Sequence, residues 1–273
     1  MCIRDSITYD TRTLIDYLHN KHHIDDITRD FLLPKQPSRT PIFYGLPKIH
    51  KPGTPLRPIV SGFDSPTDNL SRYVTHFLQP IVETIPAYIK DTKHFLRLIG
   101  NLNQLPDNIF LVTADVKSLY TNIPHDEGIE ASIYYLKENK DKLPNYTPNT
   151  QVIRIILNHI LKHSSFRFMD KHFLQINGTS MGGRYAPPYA NLFMGRIENR
   201  IHQVWGNNII FWKRFIDDIF FIFKGDINQL IQLQNFMNDI HDTIKFTFEQ
   251  SRTDIDFLDT HLSLSQHNHH FVV

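Results

Sequence analysis

Apolar residues change their spacing several times along this chain, and each change marks an element. Leu14, Ile15 and Leu18, with His19 beside them, fall at helical spacing and predict a helix from about Thr8 to Asp30. Proline dominates from Pro34 to Pro66. Because proline fixes φ and lacks an N–H, this stretch excludes long helices and predicts extended strands joined by turns. Pro52-Gly53-Thr54-Pro55 is the expected turn between two short strands. Helical spacing returns from Asn69 to Leu102, with interruptions expected near Pro80 and Pro86.

Further on, Ile109-Phe110-Leu111-Val112-Thr113-Ala114 is a short apolar, β-branched run, read as a buried strand that delivers Asp115 at its end. Helices are expected from about Asp126 to Lys140 and from Thr150 to His163, with a loop at Pro144 and Pro148 between them. Phe166-Arg167-Phe168 and His172 to Ile176 flank Met169-Asp170-Lys171 as a hairpin. A glycine-rich loop then leads into a helix near Pro187 to Val204. Ile209 to Phe223 carries the strongest hairpin signal in the chain. A helix from Asn228 to Thr243, a strand at Lys245 to Glu249 and a final hairpin complete the pattern. Strands and helices alternate without repeats, which predicts an α+β fold.

Composition narrows the class only slightly. At 273 residues there is mass for one large domain or two small ones. With 41% apolar and 21% charged residues the balance is ordinary. No uninterrupted apolar run reaches the roughly eighteen residues of a membrane span, so no membrane partner is expected. The single cysteine, Cys2, excludes an internal disulfide framework and a cysteine-built zinc site. Met1 to Ser6 lacks the apolar core of a secretory signal and is set aside, a cloning or assembly remnant being one explanation. Pairs such as His22-His23 and His269-His270 lack a second liganding pair at helical spacing, so the sixteen histidines predict no structural metal site. Net charge is only +1, but Lys35, Arg39, Lys48, Lys51 and Arg57 precede the first carboxylate after Phe31, at Asp64. Such local asymmetry suits a protein that meets phosphates in one place and cations in another, and equally an ordinary enzyme.

Chemistry concentrates in three acids. In Phe215-Ile216-Asp217-Asp218-Ile219-Phe220-Phe221-Ile222-Phe223, two carboxylates interrupt an aromatic pair of strands. A plain hairpin turn on Asp217-Asp218 would favour Gly or Asn second, where both central residues need positive φ. A carboxylate beside low-dielectric surroundings is costly unless a positive group compensates it. Asp115, at the end of another apolar strand, would complete an oxygen-lined site suited to Mg²⁺ if the two strands were neighbours. A helix cap or a local turn is the competing reading for Asp115.

At these residues the chain resembles a known family. Thr113-Ala114-Asp115-Val116-Lys117-Ser118-Leu119-Tyr120-Thr121-Asn122-Ile123-Pro124 resembles the first palm motif of reverse transcriptases, and Phe215-Ile216-Asp217-Asp218 resembles their catalytic hairpin. Tyr44-Gly45-Leu46-Pro47-Lys48-Ile49-His50-Lys51-Pro52, Gly178-Thr179-Ser180-Met181-Gly182-Gly183, Ala190-Asn191-Leu192-Phe193-Met194-Gly195 and Phe257-Leu258-Asp259 extend the likeness to Penelope-like retroelement enzymes, relatives of telomerase. The wording runs from about residue 40 to 262, and Ser180-Met181-Gly182 stands where many reverse transcriptases have Pro-Gln-Gly.

The resemblance implies right-hand polymerase fingers and palm, an antiparallel sheet with packed helices; the helical thumb expected of such enzymes is not recognisable in this sequence. It implies an N-terminal helical segment at 1–30, fingers at 31–108, palm at 109–250, and a primer-grip region with a truncated start of thumb at 251–273. Asp115 and Asp217, with the carbonyl of Val116, would hold two Mg²⁺ ions, Mn²⁺ being an alternative, and Asp218 would support them. Such a pair of ions activates a primer 3′-hydroxyl and stabilises the leaving pyrophosphate. Lys48 and Arg57 would grip the triphosphate of an incoming dNTP, where a cation neutralises phosphate charge. Tyr120 would be a steric gate against the 2′-hydroxyl, with a half-buried core tyrosine as the other reading. Met181 and Gly182 would lie under the nucleotide, and Phe257, Leu258 and Asp259 would form the primer grip. Lys245 matches loosely a lysine that protonates pyrophosphate, against a plain solvated lysine. The activity implied is RNA-directed DNA synthesis on an RNA template and DNA primer, in the nucleus or cytoplasm. An RNA-dependent RNA polymerase and a non-catalytic nucleic-acid-binding remnant stand as alternatives.

Overall fold

The computed structural model describes residues 3–49, 53–102, 105–264 and 271–272. Cys2, Lys51, Pro52 and the pair His269-His270 lie outside the described residues. The chain divides into two compact units, Met1–Ile81 with Tyr120–Ala190, and Val82–Leu119 with Asn191–Val273.

In the first unit the expected N-terminal helix is two helices, α1 (Ile3–Asn20) and α2 (Asp26–Leu32). The break has a local cause. His22 adopts φ 56°, the left-handed conformation that ends a helix, and His23 N–H bonds back to the Leu18 carbonyl at 2.9 Å. Asp25 then caps α2 through Thr28 N–H, and Arg29 ties it to Asp16 of α1 at 2.9 Å. Residues 3–6, set aside above, form the first turn of α1. The buried face of α1 is Ile7, Thr11, Ile15 and Leu18, the period of a helix packed on one side.

The proline-rich segment forms the antiparallel hairpin β1 (Phe43–Pro47) and β2 (Leu56–Val60). It is followed by α3 (Asp68–Val82). Pro80 does not interrupt α3, because it falls in the last turn, where the missing N–H removes a single bond while Leu78, Ile81 and Val82 stay fully buried. Two helices, α4 (Thr92–Gly100) in the second unit and α5 (Leu119–Asn122) at the boundary between units, precede the paired helices α6 (His125–Glu138) and α7 (Thr150–Lys162) of the first. Strands β4 (Ser165–Phe168) and β5 (Lys171–Leu174) close on Met169-Asp170, both at positive φ, the pairing that a two-residue hairpin turn requires. Lys171 is therefore in a strand rather than in the turn.

The second unit is built on strand β3 (Ile109–Val116). Around it β6 (Ile209–Phe215), β7 (Asp218–Lys224) and β8 (Phe246–Ser251) assemble a four-stranded antiparallel sheet in the order β6-β7-β3-β8. The two central strands are buried on both faces, which explains their continuous apolar runs. Phe95 and Ile99 of α4 pack on one face, against Leu111, Phe220 and Ile222. Helix α8 (Ala186–Trp205), which begins in the first unit, reaches the opposite face, where Trp205 lies 6.3 Å from Phe223. Helix α9 (Ile227–Asp239) ends before the expected Thr243. Strands β9 (Asp254–Phe257), β10 (Thr260–Leu264) and β11 (Phe271–Val272) form a second small sheet. This mixture of helices with antiparallel sheet is the fold class expected from the sequence.

Two features of the fold predict measurable stability effects. A Cβ added to Gly128 of α6 would lie 2.1 Å from the Tyr189 hydroxyl oxygen, whereas one added to Gly100 of α4 would meet nothing within 4 Å. Gly128→Ala is expected to destabilise the protein by about 1–3 kcal/mol through overpacking, and Gly100→Ala to stabilise it by about 0.5 kcal/mol, both read by urea denaturation. The His159 ring, bonded to Thr11 Oγ1 at 2.9 Å and stacked on His163, is pushed down to about 3 by burial, with repulsion from His163 adding to it. Below its ordinary value of 6.5 the unfolded chain binds a proton that the folded protein refuses. Stability is therefore lost as pH falls from 6.5 towards 3, by up to about 1.4 kcal/mol per pH unit relative to His159→Gln. Denaturation midpoints of both proteins across that range check this.

Candidate active site

Asp115 lies near the end of β3, opposite Asp218 on β7 and Thr247 on β8. Opposed residues of an antiparallel pair share a face of the sheet, so the two carboxylates are cross-strand neighbours. They open on a cleft of about 230 Å³ that Thr113, Thr247, Glu249, Asp256 and Leu258 also line. Both are partly buried, and the same face continues into Leu111, Phe220 and Ile222 of the core. Burial of the strand makes the register strict, since a slip of one residue would put its acid on the other face.

Asp217 sits differently. Phe215 pairs with Asp218, so the two-residue turn of the β6–β7 hairpin is Ile216-Asp217 and not Asp217-Asp218. Ile216 has φ 58° and Asp217 does not have positive φ, the pattern of a type II′ turn. Glycine is the ordinary residue there. A β-branched side chain makes it a strained position, with a cost of about 1–3 kcal/mol. Val116 N–H donates to the Asp217 carbonyl at 3.0 Å, which fastens the turn to the end of β3. Asp217 is thus beside the strand end, but it does not line the cleft that Asp115 and Asp218 share.

A polar network that the sequence reading missed lies beneath this turn. Arg214 of β6 is wholly buried, and its guanidinium makes five hydrogen bonds. Nε and Nη2 donate to the two carboxylate oxygens of Glu198 at 2.8 and 3.0 Å. Nη1 donates to Asn191 Oδ1 at 2.6 Å and to the Ile216 carbonyl at 3.0 Å, and Nη2 to the Asn191 carbonyl at 3.2 Å. Trp212 Nε1 adds a bond to Glu198 at 2.8 Å. The signal available in the sequence was an arginine inside an apolar strand and, on one helix, Asn191 and Glu198 seven residues apart, hence on one face.

The residues expected around a nucleotide lie in the first unit, and several are joined there. Arg57 is exposed on β2, and Lys48, just past β1, donates its N–H to Pro55 O at 2.9 Å. At the end of β2, Val60 N–H donates to the Met181 carbonyl at 2.9 Å. Gly182 has φ 131°, and a Cβ there would sit 2.4 Å from Val60 O, so only glycine permits this approach. Thr179 N–H donates to the Tyr120 carbonyl at 2.7 Å, while Gly178 packs at φ 65° on the backbone of Thr121. Thr179 Oγ1 donates to the Tyr185 hydroxyl at 2.6 Å, and burial pushes that phenol up to about 12. The glycine loop is therefore stitched to both β2 and the Tyr120 segment. In the second unit, Phe257 is buried against Phe95 at 4.7 Å and Phe220 at 5.6 Å, in the core. Leu258 and Asp259 make the β9–β10 turn, with Leu258 at φ 52° beside the acids' cleft. Lys245 Nζ donates to the carbonyls of Asn238, in the last turn of α9, and of His241, just beyond it, the position of a helix C-cap cation.

Among the described residues, no group of three or more His, Cys, Asp or Glu is close enough to hold a metal ion. Asp115 and Asp218 are nonetheless hard oxygen donors on one face. One or two carboxylates completed by substrate phosphates is the donor set that Mg²⁺ takes, in preference to an all-protein cage. No helix among the described residues is long and apolar enough to cross a membrane.

A search of curated proteins gives no match. Among solved structures, apo telomerase from Candida tropicalis, truncated from its C-terminal domain, superposes with a TM-score of 0.59 at 11% identity, over 82% of this chain and 53% of that one. Telomerase from Candida albicans, bound to a fragment of telomeric RNA, gives 0.57 at 11% identity, over 93% of this chain and 49% of that one. The RNA-dependent RNA polymerase of BmCPV in its elongation state gives 0.61 at 12% identity, over 90% and 23%. At these identities the likeness is one of fold, that of polymerase fingers and palm. The chain spans about half the length of the telomerases and a quarter of the viral enzyme. The profile of the reverse transcriptase (RNA-dependent DNA polymerase) family matches residues 49–256, three quarters of the sequence, and the chain belongs to that family.

Proposed function

We propose that this chain carries the polymerase centre of an RNA-directed DNA polymerase from a Penelope-like retroelement, which extends a DNA primer on an RNA template with dNTPs. The observation that carries the reading is the convergence of Asp115, Asp217 and Asp218 at one end of a single sheet: two in cross-strand register, the third in a turn fastened to Val116. Residues of these types in this order are what nucleotidyl transfer needs at its reacting atoms. The six motifs quoted from the sequence support the retroelement wording.

Divalent cations bound here would supply charge neutralisation at the primer 3′-oxygen and at the leaving pyrophosphate. Asp115 and Asp217, with the Val116 carbonyl, are proposed to hold them, Asp218 assisting. The remaining work belongs to side chains. Lys48 and Arg57 neutralise triphosphate charge, Met181 and Gly182 offer close backbone to the base, and Tyr120 bars a 2′-hydroxyl. Leu258 and Asp259 hold the primer end, and Phe257 supports them from the core. The functional regions proposed are fingers at 31–108, palm at 109–250 and primer grip at 251–273. These are regions of action rather than compact units. A nuclear or cytoplasmic site of action follows only from this chemistry.

RNA synthesis is the second reading, since the BmCPV RNA polymerase superposes as well as the telomerases do. Tyr120 argues against it, because an aromatic ring against the sugar leaves no space for a 2′-hydroxyl.

Extension of a labelled primer on an RNA template decides between these readings. Mg²⁺-dependent extension with dNTPs is expected, abolished by chelation. Asp115→Ala and Asp217→Ala should each lower the rate by at least about a thousandfold, near 4 kcal/mol, and Asp218→Ala by less. Extension with rNTPs alone would favour the RNA polymerase, and no extension by well-folded protein the non-catalytic remnant. Tyr120→Ala should raise incorporation of ribonucleotides relative to deoxynucleotides by tenfold or more. An unchanged ratio would return Tyr120 to the core.

A further inference from the structure

We infer that Arg214 is a positioning residue: from the buried side of the sheet it holds the strained Ile216-Asp217 turn in the geometry that presents Asp217. This deepens the polymerase reading and rests on it for the catalytic consequence, though not for the structural one.

Three observations converge. The first is saturation. A guanidinium has five N–H donors, and all five of those of Arg214 are used inside the protein, four on Glu198 and Asn191 and one on the Ile216 carbonyl. The second is burial. Arg214 and Glu198 have side-chain exposures of 0% and 3%. An ion pair this deep gains little stability over apolar residues of the same volume, so its stabilising value alone does not account for it. What an apolar pair could not do is donate a hydrogen bond to Ile216.

The third is strain. Ile216 stands at φ 58°, where a β-branched residue does not rest without restraint. Arg214 holds its carbonyl from one side, and Val116 N–H holds the Asp217 carbonyl from the other. The turn is clamped at both of its peptide groups. Asn191 sets the angle of the clamp, since its side-chain oxygen accepts from the same Nη1 that reaches Ile216. The backbone of Arg214 is itself fixed by segment 86–89: its N–H donates to Ala87 O at 2.7 Å, and its carbonyl accepts from Ile89 N–H at 3.1 Å. The arginine therefore transmits a rigid position to the turn rather than sharing its motion.

Two variants separate positioning from simple stability. In Arg214→Lys the ammonium can pair with Glu198 but cannot span both Glu198 and Ile216. In Arg214→Met with Glu198→Gln the buried charges are removed, while Trp212 keeps an acceptor. Each is read by its thermal midpoint, by deuterium uptake of residues 209–224 without metal, and by steady-state extension on an RNA template with dNTPs. The expected result is at least tenfold faster exchange at the Asp218 amide, whose bond closes the hairpin. With it should come a tenfold or greater loss of kcat and a KM for primer–template within twofold of the parent. Either folded variant with parental exchange at the turn overturns the inference. If the double variant does not fold, Arg214→Lys alone decides by the same exchange criterion. A parent chain without polymerase activity would sink the functional reading, and the exchange experiment would still judge the clamp.

Discussion

The pairing of β3 with β7 is the constraint on which the rest of the second unit depends. Both strands are apolar on both faces for most of their length, and each carries a single carboxylate at the end that leaves the core. Burial fixes the register, and the register sets Asp115 against Asp218. A carboxylate placed mid-strand in this sheet would lose its hydration with nothing to replace it. Placed at the strand end, it keeps partial access to solvent while standing on a rigid base. A site that must hold charge in a fixed place needs that combination.

Rigidity is then carried to the one part of the site that is not a strand. The β6–β7 turn has an unfavourable backbone at Ile216, and the structure surrounds it with compensation: Val116 N–H on one peptide, the Arg214 guanidinium on the other. Strain of this kind persists only where its surroundings over-determine it. In the first unit the glycine loop at 178–183 is treated similarly, with hydrogen bonds to β2 at one end and to the Tyr120 segment at the other. Two glycines there sit so close to other backbone that a side chain would collide. Loops that would otherwise be mobile are thus bound to strands and helices on each side.

Much of this is legible in the amino-acid sequence. The run Ile109 to Ala114 ending in Asp115, and the paired acids in an aromatic hairpin, both declared themselves by their contrast with the residues around them. Helices α6, α7 and α8 fell within a few residues of their expected limits. The misses were local. Lys21 to Asp25 broke a helix through a left-handed histidine, which no hydrophobic period reveals. Pro80 was tolerated because of where it falls in its helix. Residue types argued against a plain turn at Asp217-Asp218 without placing the turn, and the sheet's register set it at Ile216-Asp217.

By itself, then, the sequence determined which residues bear chemistry and in what order, since a carboxylate or a glycine amid unlike neighbours is visible in one dimension. Which carboxylate faces which was decided only by the tertiary structure. Cross-strand register is set by burial on both sides of a sheet, and that is a property of four strands together rather than of any one. The buried Arg214, Glu198 and Asn191 network belongs to the same class. Its members are 16 and 23 residues apart, each unremarkable alone, and they become a clamp only where a helix face and a strand meet in the dry interior, where every donor must find an acceptor.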